Sequence, residues 1–165
     1  SFIPAISSDE FSLLAKVNSK SLVLTLSQSG ETFDTISALK FAKSKGAMTA
    51  AVVNVMGSSI SRLVDKVILQ GSGPEICVIS TKAAFAQMII LTILALKLSL
   101  KRKKIKRREY DSSITALREL PEVIQNILNE RSGFIHRIAN NYSKVKKLAL
   151  SWSRNLLSGC ARVGS

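Results

Sequence analysis

Short apolar runs alternate with segments of helical periodicity over the first seventy residues of the chain. Residues 22–26 form a continuous apolar run, and residues 33–42 repeat apolar side chains at helical spacing. Two further apolar runs, residues 50–55 and 66–69, predict a second and a third strand. Because the second run is continuous rather than alternating, it favours a parallel sheet covered on both faces. The pattern therefore predicts an open α/β fold.

Loops rich in glycine and serine follow each predicted strand. They are residues 27–30, 57–59 and 71–75. Right-handed crossovers bring such loops to the carboxyl edge of one sheet, where open α/β folds bind their ligands. The sequence therefore predicts a ligand site at that edge.

The first of these loops, Ser27-Gln28-Ser29-Gly30, has the outline of an anion site. It offers the hydroxyls of Ser27, Ser29 and Thr32 and the amide of Gln28. The free N–H groups and the positive end of the following helix favour a phosphate there. The alternative is that these side chains only cap the helix, which is the commoner role of serine and threonine at such turns.

A long apolar segment, residues 81–99, predicts a helix in the middle of the chain. Gln87 and Lys97 interrupt its apolar run, and it begins directly after a polar loop. These features favour a helix buried between a sheet and a neighbour over a membrane span.

The rest of the chain is predicted to be helical as far as its tail. Residues 112–130 repeat apolar side chains at three- and four-residue steps, and Pro121 is expected to open a new helix at its first turn. A last helix is expected from Ile135 to about Lys147, followed by a short strand candidate at residues 148–150. The tail after Leu150 shows no clean period.

The composition permits one ordinary domain, or one domain and part of another, in 165 residues of which 46% are hydrophobic. The formal charge of +13 is concentrated in residues 97–108, and such a run more often forms a solvated helix end and linker than a nucleic-acid site. Cys77, Cys160 and the single His136 cannot form an ordinary structural zinc site. No disulfide framework and no secretory signal are recognisable, which favours a cytoplasmic setting.

Three motifs together resemble the sugar isomerase (SIS) domain. They are Ser27-Gln28-Ser29-Gly30-Glu31-Thr32 with Asp34-Thr35, Asn54-Val55 with Gly57-Ser58-Ser59, and Pro74-Glu75-Ile76 with Val78 and Ser80-Thr81-Lys82-Ala83. The first is common to many SIS proteins, whereas the third is typical of the glutamine:fructose-6-phosphate amidotransferases. The resemblance covers Asp9 to about Leu150. Within the SIS family, it is most specific to the isomerase half of these amidotransferases.

The resemblance implies a doubly wound, flavodoxin-like α/β domain followed by a helical linker. It implies that the side chains and N–H groups of Ser27, Gln28, Ser29 and Thr32 hold a sugar phosphate, fructose 6-phosphate or glucosamine 6-phosphate. The segment with Val78 and Ser80 would line the sugar. No cofactor, metal, nucleic acid or membrane is expected, and the full-length protein is expected to be a homodimer.

Glu31 is expected not to be a ligand, because a carboxylate facing a phosphate would repel it. We expect it to turn away and to accept hydrogen bonds from backbone N–H groups near the helix start.

Departures from the family pattern limit what the chain is expected to do. The resemblance implies residues 1–100 as a first SIS domain without its N-terminal part, residues 101–143 as a basic linker with helices, and residues 144–165 as the truncated or divergent start of a second SIS domain. The glutaminase domain and the family's isomerase lysine, glutamate and histidine lie outside this chain. It therefore holds no expected catalytic residue, and by itself it should be inactive in the family's aminotransferase reaction.

Three local departures also stand out. Cys77 replaces the family's usual glycine, Ile79 replaces a small residue, and the tail after Leu150 lacks the expected Gly-Arg-Gly turn. A frame error or truncation would explain the tail. Either substituted side chain is expected to crowd the sugar or merely to pack.

Two alternatives remain. Another SIS-type sugar-phosphate isomerase or deglycase would share the serine loop but lack the third motif. The second alternative is a non-catalytic module that binds a sugar phosphate, or one that binds nucleic acid through residues 97–108, and a salt-sensitive interaction with DNA would support the latter.

Overall fold

The computed structural model describes residues 4–76, 80–143 and 145. The chain divides into two compact units, Ser1–Leu117 and Arg118–Ser165. The elements of the described residues, in chain order, are α1 Phe11–Leu14, β1 Leu22–Ser27, α2 Phe33–Ser44, β2 Met48–Val53, α3 Ser59–Leu63, β3 Lys66–Leu69, α4 Thr81–Lys101 and α5 Arg107–Tyr142.

The three strands form one parallel sheet in the order β1-β2-β3. Leu24 lies opposite Ala50, and Val52 lies opposite Ile68. Helices alternate with the strands, which confirms the predicted α/β class. The predicted strands are confirmed too, although β2 begins and ends two residues earlier than the apolar run indicated.

The core lies between β2 and the helix pair α2 and α3. Leu39, Ala51, Val53 and Ile60 are fully buried and form one cluster. Side chains packed against it are Ile36, Leu63, Val64 and Val67. The central strand therefore needs its small and β-branched residues, because it is covered along five of its six positions.

Asp65 joins the start of β3 to the start of β2. Its Oδ2 accepts hydrogen bonds from the N–H and the hydroxyl of Thr49, both at 2.8 Å, and Thr49 is fully buried. Its Oδ1 lies 3.2 Å from Lys43 Nζ of α2. The Thr49 backbone bond, the Thr49 hydroxyl and Lys43 together lower the pKa of Asp65 from 3.8 to about 2. This carboxylate therefore ties helix α2 to the edge of the sheet opposite the predicted ligand site.

Strand β1 is less buried than its sequence predicted. The side chains of one face, Leu22, Leu24 and Leu26, are 37–63% exposed. The alternating exposure arises because β1 is an edge strand of the described sheet, with α2 packed on one side.

The prediction that the long apolar helix is buried is wrong for the described residues. In α4 only Ala83 is fully buried, and the other side chains are half-buried or exposed among the described residues. By length and composition alone, α4 is the one helix of the described chain that could cross a membrane, with a mean hydropathy of 2.0. A core helix passes the same test, so the expectation that the protein has no membrane span stays a prediction.

Helix α5 is continuous from Arg107 to Tyr142, so the predicted new helix at Pro121 and the break before Ile135 are wrong. Proline inside a helix removes one backbone hydrogen bond and crowds the preceding turn, yet α5 continues through Pro121. The basic run, residues 97–108, covers the end of α4, the turn and the start of α5, and it is mostly exposed, as predicted. The strand candidate at residues 148–150 and the tail lie outside the described residues.

Candidate functional site

The loop between β1 and α2 is a tight turn held by its own serines. Ser27 is 6% exposed, and its Oγ accepts a hydrogen bond of 3.0 Å from the N–H of Gly30. Ser29 Oγ accepts a bond of 3.2 Å from the N–H of Glu31. The turn passes through Gly30 at a φ of +71°, a conformation that favours glycine. Ser27 and Ser29 therefore shape the loop as well as lining it.

Gly30 makes the closest approach between this loop and the start of α3. A Cβ built on Gly30 would lie 2.1 Å from Ser58 Oγ and 2.6 Å from Ser58 Cβ. The carbonyl of Gly30 also accepts a hydrogen bond of 2.9 Å from the N–H of Ile60. The loops after β1 and β2 are therefore locked together at the carboxyl edge of the sheet.

Thr32 is the N-cap residue of α2, yet its hydroxyl makes no cap hydrogen bond. Thr32 is exposed, and Gln28 and Ser29 are partly exposed. The charged residue in the first turn of α2 is Asp34, so any attraction for an anion rests on N–H groups and hydroxyls. The structure thus leaves the Thr32 hydroxyl available at the helix start, which the simple capping alternative did not predict.

Glu31 turns to backbone N–H groups, as expected, but those of α3 rather than of its own helix. Its Oε1 accepts a hydrogen bond of 2.8 Å from the N–H of Ser59. Hydrogen bonds from the Ser59 side chain and backbone, with the charge of Arg62, lower the pKa of the Glu31 carboxyl. Glu31 is therefore a link between two loops.

Asn54 connects the loop after β1 to the loop after β3, a role that the sequence analysis missed. Its N–H donates to the carbonyl of Gln28 at 3.2 Å. Its side chain donates to Gly73 O at 2.7 Å and accepts from the N–H and hydroxyl of Ser72 at 3.1 and 3.0 Å. An asparagine directly after a buried strand was the available signal, since such a side chain commonly organises neighbouring loops.

Helix α4 begins within the third motif, after residues 77–79, which lie outside the described residues. Ser80 is the N-cap residue of α4, adopts a left-handed conformation with a φ of +53°, and makes no side-chain cap bond. Glu75 Oε2 accepts a hydrogen bond of 3.2 Å from the N–H of Ala83 and so caps the helix from a distance. Val78, Cys77 and Ile79 lie outside the described residues, so their expected roles stay predictions.

An open depression of about 510 Å³ lies between α2 and α3, and none of the predicted phosphate residues lines it. Its lining residues are Phe33, Ile36, Lys40, Ser59, Arg62 and Leu63. Within the described part of the chain, no group of three or more His, Cys, Asp or Glu side chains could hold a metal ion. His136 lies exposed on α5, where a surface histidine was expected.

Comparison with known proteins supports the resemblance seen in the motifs. The chain is 42% identical over 130 residues to a glutamine–fructose-6-phosphate aminotransferase (isomerizing) of Caldanaerobacter subterraneus subsp. tengcongensis, which covers 79% of this chain and 21% of that relative. It is 38% identical over 149 residues to the protein of the same name in Fusobacterium nucleatum subsp. nucleatum, over 90% of this chain and 24% of the relative. The chain therefore spans about a fifth to a quarter of the length of these curated relatives.

A solved structure shows the same fold. The C-terminal domain of glucosamine-fructose-6-phosphate aminotransferase from Francisella tularensis matches with a TM-score of 0.74 and 26% identity, over 83% of this chain and 39% of that chain. The sequence pattern of the SIS domain matches residues 1–97, more than half of the chain. The motifs, the parallel sheet and this match together show that the chain belongs to the SIS domain family.

Proposed function

We propose that this chain is the sugar-phosphate-binding part of the isomerase domain of a glutamine–fructose-6-phosphate aminotransferase. Such an enzyme makes glucosamine 6-phosphate from fructose 6-phosphate and glutamine, a step of amino sugar biosynthesis. The observation that carries the proposal is the loop at the start of α2, where the Thr32 hydroxyl makes no cap bond and Gln28 and Ser29 are partly exposed. Relatives of that name, 38% and 42% identical, support the proposal.

The loop offers a phosphate several hydrogen-bond donors at once. A phosphate dianion accepts hydrogen bonds only, and hydroxyls, a side-chain amide and helix N–H groups all donate. In this proposal Ser27, Gln28, Ser29 and Thr32 hold the phosphate. Ser27, which is 6% exposed, also shapes the turn by accepting a hydrogen bond from the N–H of Gly30. Ser80 and Val78 would line the sugar.

The catalytic groups are assigned to other parts of a longer protein. Moving a proton between C1 and C2 of the sugar needs a general base, and ring opening needs an acid. Residues 1–100 would be a first SIS domain, residues 101–143 a linker, and residues 144–165 the start of a second SIS domain. The chain alone then binds without turnover. We further propose a cytoplasmic homodimer for the full-length protein, with no cofactor, nucleic-acid partner or membrane span.

The double substitution Ser29→Ala/Thr32→Ala tests the site. Because each hydrogen bond to a charged group contributes about 1.5–3 kcal/mol, affinity for fructose 6-phosphate should fall at least about 100-fold. Titration calorimetry measures the affinity, and circular dichroism should show an unchanged fold. Unchanged affinity would remove both hydroxyls from the site.

A matched control is available on α5. The hydroxyls of Ser113 and Thr115 bond only to carbonyls one turn earlier in that helix, those of Glu109 and Asp111. Ser113→Ala/Thr115→Ala removes the same two groups and should leave sugar-phosphate affinity unchanged. A comparable loss in the control would mean that the effect is not local to the loop.

Cys77→Gly restores the residue that the family resemblance predicts at this position. Sugar-phosphate affinity should stay equal if the Cys77 side chain merely packs, and improve by up to a few fold if it crowds the sugar. The same calorimetric titration measures this. A sharp loss of affinity would show that the thiol takes part in binding.

A further inference from the structure

Asn54 occupies a junction that its place in the SIS motif does not explain. Its backbone N–H donates to the carbonyl of Gln28 in the loop after β1. Its side chain holds Gly73 and Ser72 in the loop after β3 through three hydrogen bonds of 2.7–3.1 Å. One residue at the end of the central strand therefore contacts both flanking loops.

The Ser72 side of this junction continues to α4. Gln70, which is 8% exposed, donates from Nε2 to Ser72 Oγ at 2.8 Å. Gln87 of α4 donates to Gln70 Oε1 at 3.0 Å. The chain of hydrogen bonds thus runs from Asn54 through Ser72 and Gln70 to the second turn of α4, and every step joins partly or fully buried groups.

The loop after β3 has few other anchors near β2. Gly71 and Gly73 both have a positive φ and make no close contact at the Cβ position. At its far end Glu75 caps α4 at Ala83. Without the Asn54 side chain, Ser72 would keep its bond to Gln70 but lose its link to the end of β2, and the glycines on either side would let this part of the loop take other conformations.

We propose that Asn54 is a positioning residue that holds the loop after β3 in place relative to residues 27–32, the loop proposed to bind phosphate (the phosphate loop), and so selects a sugar phosphate over free phosphate. This rests on the proposed function. The phosphate loop keeps its own bonds, Ser27 to Gly30 and Ser29 to Glu31, whatever residue 54 carries. The loop after β3 is also held by Gln70 at Ser72 and by Glu75 at Ala83, but the Asn54 amide supplies the three bonds that join it to the end of β2. Asn54 therefore acts through these loops and does not itself touch the ligand.

The test compares two ligands on Asn54→Ala in the 165-residue chain, by NMR titration with inorganic phosphate and with fructose 6-phosphate. Affinity for fructose 6-phosphate should fall about tenfold, whereas affinity for inorganic phosphate should stay within about twofold, because the residue-54 N–H still reaches Gln28. Loss of the fold would instead lower the affinity for both ligands equally. Ser72→Ala keeps the backbone N–H that donates to Asn54 Oδ1, so it should lower the affinity for fructose 6-phosphate less than Asn54→Ala does.

Asn129→Ala is the matched control, since its side chain accepts a bond of 3.0 Å from Gln125 on exposed α5. It should change neither affinity. Hydrogen exchange of the Ser72 amide gives a second readout and should speed up in Asn54→Ala only. Equal fructose 6-phosphate affinity in Asn54→Ala and wild type, or an unchanged Ser72 exchange rate, overturns the role of Asn54. A wild-type chain that binds neither ligand overturns the proposed function instead.

Discussion

Gly30→Ala should lower the free energy of unfolding by about 3 kcal/mol. The new Cβ would lie 2.1 Å from Ser58 Oγ and 2.6 Å from Ser58 Cβ, so one of the two loops has to move. Overpacking of this kind costs about 1–3 kcal/mol. The φ of +71° adds about 1–2 kcal/mol for any residue with a Cβ. Urea unfolding followed by circular dichroism measures the change.

Two other variants separate the clash from the backbone strain. Gly57 has a φ of +81° with nothing within 4 Å of its Cβ position, so Gly57→Ala should lose only about 1 kcal/mol. Adding Ser58→Gly to Gly30→Ala removes both clashing atoms. In the Ser58→Gly background, Gly30→Ala should therefore lower the free energy of unfolding by much less than it does in the wild type. Equal losses for Gly30→Ala and Gly57→Ala would show that the contact with Ser58 does not restrict residue 30.

The sheet could be predicted from the sequence because strand and loop signals recur in the same order. The apolar runs and the serine loops each have a local cause. The two-residue shift of β2 has a non-local cause. Met48 and Thr49 belong to the strand because they pair with Leu22 and Val23 across the sheet, and periodicity along one segment does not report such pairing.

Burial of helices could not be predicted in the same way. The apolar residues of α4 indicate that a covered helix is favourable, but they do not identify what covers it, and the described residues leave most of them partly or fully exposed. Pro121 gave a start signal that α5 overrides, because the helix extends through it with good helix formers on both sides. Residues such as proline indicate where a helix could begin or end, but the packing of the whole chain determines where it does.

In the candidate site, too, local features could be predicted from the sequence, whereas contacts between distant loops could not. Electrostatics alone predicted that Glu31 turns away from an anion, since that needs only its charge and its neighbours. Its partner, the N–H of Ser59, is 28 residues away and depends on how two loops meet. The Asn54 junction depends in the same way on the loop after β3. The sequence therefore predicted a serine-rich loop after β1, but not the residue that links this loop to its neighbour.

Asp65→Asn should abolish the largest pH-dependent contribution to stability that we identify in the described residues. Asp65 has a folded-state pKa of about 2 against an ordinary 3.8, because Thr49 and Lys43 stabilise the charged form. A depressed carboxyl pKa contributes stability that is fully present above about pH 4 and is lost as the pH falls through about 2. The wild-type melting temperature should therefore drop over that window more steeply than that of Asp65→Asn.

At neutral pH the same variant should melt on the order of 5 °C lower, because an amide cannot replace all of the carboxylate's acceptor contacts with Thr49 and Lys43. Asp111→Asn is the matched control, since Asp111 forms an exposed pair with Arg107 on one helix at 3.0 Å. Such a pair contributes little, so its melting temperature and acid profile should follow the wild type. If Asp65→Asn and wild type lose stability in parallel between pH 4 and 2, the carboxylate that joins Thr49 to Lys43 is not the group whose protonation weakens the fold.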